Sequence, residues 1–167
     1  MQVTKRNGNK EEFNLDKIHK VLGWAVDGLN DVSVSDIEMN AKLYEHIKKC
    51  VKLGVYDKEI LQVYSESEIH KLGKIIKHNR DELFTSAGLQ QTIDKYLVKN
   101  RNTNEIYETP QFAYLLIAMT LFKNYDKLER FSYIKKCYDY CSQFKINLPT
   151  PILAGVRTTI KQYSSCI

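Results

Sequence analysis

Thr109-Pro110-Gln111-Phe112-Ala113-Tyr114-Leu115-Leu116-Ile117-Ala118-Met119-Thr120-Leu121-Phe122 decides the fold. Threonine before proline opens a helix in the favoured order, cap first and proline at the first helical position, where its missing N–H costs nothing. The residues that follow are apolar nearly all round, so this helix is expected to be buried on most sides and to form the core. The apolar run is about a dozen residues, well short of the roughly 20 that cross a bilayer, and no membrane-spanning segment is expected.

Upstream of that core the period of the sequence changes several times. Val3 to Phe13 reads as a hairpin turning on Asn7-Gly8, a dipeptide that accepts the backbone of a tight two-residue turn. Asn14 then caps a helix with Leu15, Ile18, Leu22, Ala25, Val26 and Leu29 at helical spacing. Ser35 and Glu38 form a capping box for a stripe of Ile37, Ala41, Tyr44, Ile47 and Val51 that stops near Gly54. Asp57 opens a short helical piece, and Ser65 with Glu68 caps a helix carrying Ile69, Leu72 and Ile76. A helix over about Asp81 to Asp94 is followed by a second hairpin, Tyr96 to Asn100 against Glu105 to Glu108.

Downstream, Asp126 to about Cys141 reads as an amphipathic helix. Pro149 and Pro151 are expected to break helix, and Thr158 to Ile167 reads as a strand. The fold class is therefore mainly α with small β-hairpins, an α+β chain.

Composition narrows the function. The 167 residues hold 43% hydrophobic and 27% charged residues with 7 Gly and 3 Pro, which excludes disordered and collagen-like chains. A formal charge of +5, from 25 basic and 20 acidic residues, is modest and spread along the chain, so nucleic acid is not an expected partner. Met1 to Arg6 carries no apolar signal region, and a cytoplasmic location is expected. Cys50, Cys137, Cys141 and Cys166 are expected as free thiols, with Cys137 and Cys141, one helical turn apart, as small apolar residues on a packed face. His19, His46, His70 and His78 lack ligand spacing and read as surface or cap residues, so no metal is expected; none of the 11 tyrosines is assigned to radical transfer. Arg157, beside Gly155, either binds phosphate or shapes the turn.

Leu148-Pro149-Thr150-Pro151-Ile152, Gly155-Val156-Arg157-Thr158 and Gln162-Tyr163-Ser164-Ser165-Cys166 together resemble the first active-site strand region of class I ribonucleotide reductase large (alpha) subunits. Lys95 to Asn100 with Glu105 to Glu108, and Arg80-Asp81, fit the same pattern. Val3 to Gly8 with Phe13 to Ile18 resembles the opening of that family's ATP-cone. The similarity runs in order through nearly the whole chain. It implies a partial ATP-cone-like hairpin and helix over 1–40 and a helical N-terminal domain over 41–143 with its hairpin near 96–108. The stretch 144–167 would then start an incomplete α/β barrel.

The resemblance implies reduction of ribonucleoside diphosphates to deoxyribonucleoside diphosphates by radical chemistry. Cys166 matches one of the reducing cysteine pair; a thiol there can protonate the leaving 2′ hydroxyl and then share a disulfide with a second thiol as two-electron donor. Thr150 and Ser165 match substrate-contacting residues, and their hydroxyls suit diphosphate or ribose hydrogen bonds. Lys5, Arg6, Glu11, Asn14 and Lys17 fall where the cone holds an allosteric nucleotide, ATP or dATP; the alternative is a solvated basic hairpin. Within about ten residues of Asp36 the chain passes to Leu43-Tyr44-Glu45-His46, which resembles a segment beyond the cone, so the cone reads as internally shortened.

The radical-bearing cysteine, the partner of Cys166 and the cysteines that re-reduce the site are expected beyond Ile167, so the chain alone is not expected to turn over. The implied partners are the complementary C-terminal alpha portion, a beta subunit that holds the radical cofactor, a thioredoxin- or glutaredoxin-type reductant and the ribonucleoside diphosphate. No cofactor is expected on this chain directly. The alternatives are a non-catalytic regulatory or interaction module, or an inactive fragment of such a reductase. An unpaired terminal strand is also expected to limit the solubility of the isolated chain.

Overall fold

The structure, a computed structural model, describes residues 2–4, 10–12, 42–100 and 102–161. The chain divides into two compact units, Met1–Glu38 and Met39–Ile167. In the first, β1 (Gln2–Thr4) and β2 (Lys10–Glu12) pair antiparallel, with Gln2 opposite Glu12, Val3 opposite Glu11 and Thr4 opposite Lys10. That is the hairpin expected from the sequence. The Asn7-Gly8 turn, the helix over 15–29 and the Ser35–Glu38 capping box lie outside the described residues.

The second unit is helical. α1 (Leu43–Lys52) buries Leu43, Ile47 and Cys50, one stripe at helical spacing. It ends at Gly54, whose φ of +73° is a left-handed conformation that a side chain would strain. α2 (Glu59–Val63) is short. α3 (Glu66–Gly73) starts on a complete capping box: Ser65 Oγ accepts from the Glu68 N–H at 3.3 Å, and Glu68 Oε2 accepts from the Ser65 N–H at 3.0 Å. A 3₁₀ segment (His78–Leu83) and α4 (Ser86–Lys95) replace the single helix expected over Asp81–Asp94. Thr85 breaks it. Its hydroxyl accepts from the Gly88 N–H at 3.2 Å, so the residue serves as an N-cap in extended conformation instead of continuing the helix.

α5 (Pro110–Leu121) begins as its sequence dictates, with Thr109 Oγ1 accepting from the Phe112 N–H at 3.2 Å and proline in the first turn. Nine of its residues are buried, and five of them, Gln111, Leu115, Leu116, Ala118 and Met119, have no accessible surface. Burying one such leucine is worth about 1.5–3 kcal/mol. α6 (Lys127–Ser142), capped by Asp126, packs against α5 and buries Arg130, Ile134, Tyr138 and Cys141, again one helical stripe. The interface also carries polar groups. Tyr138 Oη donates to Gln111 Oε1 at 2.7 Å and accepts from the Lys77 N–H at 2.8 Å, while Gln111 Nε2 donates to Asp81 Oδ1 at 2.7 Å.

Three expectations are corrected here. The prolines near 150 do not break helix; they start one. α7 (Thr150–Gly155) has Pro149 as its N-cap and Pro151 in its first turn, positions whose N–H groups have no intrahelical partner to lose. The second hairpin shrinks to one antiparallel bridge, Lys99 to Ile106, because the Val98 N–H turns to the Glu108 carboxylate at 2.7 Å and Asn104 closes the loop at φ +59°. The stretch over 144–161 contains helix, irregular chain and a single bridge between Thr158 and Tyr56, so among the described residues it contains no barrel strand.

Candidate functional site

Of the residues that pointed to chemistry, Thr150 on α7 is the one whose surroundings the structure describes. Thr150, the first residue of α7, is exposed and stands on the walls of two clefts. One, about 570 Å³, is lined by Phe84, Tyr96, Tyr114, Phe144 and Leu148. The other, about 600 Å³, is lined by Tyr96, Val98, Gly155, Thr158 and Ile160. Phe144 reaches the first cleft at φ +55°, a backbone state that bulky residues rarely hold, and its ring meets Phe84 edge-on at 4.7 Å.

Beneath α7 lies a buried charge cluster. The Arg157 side chain and the Glu108 carboxylate have no exposed surface and form an ion pair, with Arg157 Nε donating to Glu108 Oε2 at 2.9 Å and Nη2 to Oε1. Tyr56 Oη donates to Glu108 Oε2 at 2.8 Å, and the Val98 N–H donates to Oε1 at 2.7 Å. The remaining guanidinium donors reach the Leu153 carbonyl at 2.5 Å and the Tyr96 carbonyl at 2.9 Å. Burial opposes the Arg157 charge, but the Glu108 carboxylate outweighs it and holds the guanidinium above its ordinary value. Burial and then Glu108 push the Tyr56 phenol well above its usual range, so it remains a donor.

The chain beyond Arg157 is tied down as well. The Asp57 N–H donates to the Arg157 carbonyl at 3.0 Å, Thr159 Oγ1 to the Gly54 carbonyl at 3.0 Å, and Thr158 Oγ1 to the Gly155 carbonyl at 2.9 Å. Lys161 pairs with Asp57 at 2.7 Å, the main reason that the Asp57 carboxyl sits below the ordinary carboxylate range.

Of the predicted site residues, Thr150 is described, and Glu11 lies in β2 opposite Val3. Cys166, Ser165, Lys5, Arg6, Asn14 and Lys17 lie outside the described residues. Arg157 is not available to phosphate, since its donors are spent on Glu108 and two carbonyls; it shapes the turn. Sequence reasoning missed Glu108 and Tyr56. The only local signal was an acidic residue one position before a helix cap.

His46 is not a surface residue. It is half-buried, with its ring 5.6 Å from Phe112 and 6.1 Å from Tyr56, and burial lowers its pKa. Cys50 is buried and pushed up to about 11 by that burial, which makes it a poor nucleophile. Cys141 is buried and Cys137 partly so; their mutual hydrogen bond raises the first and lowers the second. Among the described residues no His, Cys, Asp and Glu cluster is arranged to hold a metal, and no helix is long and apolar enough to cross a membrane.

Residues 82–161 match the family described as ribonucleotide reductase, all-alpha domain, and residues 1–60 match the ATP cone domain. The chain is 39% identical to ribonucleoside-diphosphate reductase 1 subunit alpha of Salmonella typhimurium over 220 residues, covering 99% of this chain and 29% of the relative. The corresponding Escherichia coli subunit is 38% identical over the same shares. The alpha subunit of Enterobacteria phage T4 is 46% identical over 123 residues, 74% of this chain and 16% of the relative. An alignment of 220 residues against a chain of 167 means that the bacterial relatives carry internal residues with no counterpart here. The chain spans about 29% of the length of the bacterial relatives it matches.

Proposed function

The chain belongs to the ribonucleotide reductase alpha-subunit family, of which it is an N-terminal portion, and from that premise we propose that it serves in reducing ribonucleoside diphosphates to deoxyribonucleoside diphosphates. It does so in the cytoplasm, together with the catalytic portion that its relatives carry, a beta subunit that holds the radical cofactor, and a thioredoxin- or glutaredoxin-type reductant. One observation carries the reading: the similarity to reductase alpha subunits extends over 99% of the chain.

In this reading 144–167 leads into the catalytic barrel. Thr150 and Ser165 hydrogen-bond the substrate. Cys166 gives a proton to the leaving 2′ hydroxyl, then forms a disulfide with a second thiol as two electrons pass to the ribose. The exposed position of Thr150 between two clefts favours a contact with substrate over a role in the core. Residues 1–40 form a shortened cone in which Lys5, Arg6, Glu11, Asn14 and Lys17 face ATP or dATP, and the match to the ATP cone domain supports nucleotide as the ligand.

Co-expression of this chain with the complementary alpha portion and a beta subunit tests the reading. Formation of dCDP from CDP that depends on all three parts is expected; no dCDP under conditions where a full-length relative is active contradicts it. Calorimetry with ATP and dATP is expected to show binding that Lys5→Ala and Lys17→Ala abolish, and no heat from the unsubstituted chain removes the cone assignment.

A further inference from the structure

The buried Arg157–Glu108 ion pair sits under α7, the helix that carries Thr150. Replacing a buried ion pair with well-packed apolar residues is often neutral or stabilising, so the Arg157–Glu108 pair is weak evidence for stability. What it provides instead is direction. A planar guanidinium fixes its acceptors in a fork, and each of its acceptors here belongs to a different part of the site. Leu153 is in α7, three residues from Thr150; Tyr96 lines both clefts; Glu108 in turn holds Val98 and Tyr56. The carbonyl of Arg157 itself takes the Asp57 N–H, and Thr158 bridges Tyr56 beside it.

On the reductase reading above, we infer that Arg157 and Glu108 are positioning residues, a clamp that sets Thr150 and holds the chain that follows α7 over Thr158 to Lys161. Neither touches substrate. They act through α7, through the 96–98 wall and through the two residues on which the chain after Arg157 is anchored, Tyr56 and Asp57. A misplacement of about 1 Å at a reacting group costs on the order of 100-fold in rate, so a clamp of this kind acts on turnover even where it adds nothing to stability.

The test separates those two roles. In the complex of this chain with the complementary alpha portion and beta subunit, the pair is replaced by Arg157→Met with Glu108→Leu, which removes both charges together, and by Glu108→Gln, which keeps the shape. Three quantities are read: melting temperature, kcat and KM for CDP, and amide hydrogen exchange at Val98 and Asp57. The expected result for the double variant is a melting temperature within a few degrees of the original, a fall of about 10- to 100-fold in kcat/KM with KM raised, and faster exchange at Val98. Glu108→Gln is expected to lose about tenfold in kcat/KM. Unchanged kcat/KM in a folded double variant overturns the clamp, as does unchanged exchange at Val98 and Asp57. If the unsubstituted complex makes no dCDP, the reductase reading fails on its own, and the exchange data still decide whether the pair orders this segment.

Discussion

The buried face of helix α5 and the turn Gly155–Thr158 are both closed to solvent, yet they reach that state by opposite routes. Leu116 and Arg157 have the same exposure, 0%. Leu116 is buried among other apolar side chains, so its removal takes away transfer energy and leaves a cavity. Arg157 is buried only because Glu108 and two carbonyls meet its charge; removing one member strands the other. A core position loses its own burial when it is cut back, whereas the clamp is coupled. The helix that carries Thr150 rests on the coupled part.

The largest effect separates the two regions. Arg157→Met alone leaves the Glu108 carboxylate buried without its cation and is expected to cost about 3–5 kcal/mol in urea denaturation, while the Arg157→Met, Glu108→Leu double variant loses far less. Additive losses in that cycle would show the two side chains to be uncoupled. Next comes the core: Leu116→Ala is expected to cost about 3 kcal/mol, and a cost under about 1 kcal/mol would mean that α5 is looser than its burial implies. Thr109→Ala, which removes the cap of the same helix, is expected to cost about 1 kcal/mol by thermal melting.

A smaller effect comes from pH. Burial holds His46 below its ordinary value of 6.5, so the folded chain prefers the neutral ring. That contribution is present above the unfolded pKa and is lost as pH falls through it, because the unfolded state takes up the proton more readily. Melting between about pH 7.5 and 5.5 is therefore expected to fall with acid, and His46→Gln is expected to flatten the slope. At the far end, Leu128→Ser changes a side chain that is 92% exposed and is expected to shift stability by less than about 0.5 kcal/mol.

Much of the helical frame was legible because its signals are local. The Ser65–Glu68 box, the Thr109-Pro110 start and the Gly54 stop each act within one turn of chain, and each is found where the sequence puts it. The prolines around Thr150 were misread because proline disrupts a helix interior but suits its first turn, and the sequence does not number the turns. The second hairpin gave way because Glu108 takes a backbone donor that a strand would have used. The clamp was illegible for a deeper reason: Glu108 and Arg157 stand 49 positions apart, and no periodicity links them. Thr150 is singled out by the resemblance alone, and the structure adds its place on the walls of two clefts.

The account depends most on the thiol at position 166. Its direct test is dCDP formation by the complex of this chain with the complementary alpha portion, the beta subunit and reductant, compared with the Cys166→Ser variant. Loss of multiple turnover in the variant, with assembly of the complex intact, is the predicted result. Equal dCDP formation by the serine variant would contradict the assignment of Cys166 to the reducing pair.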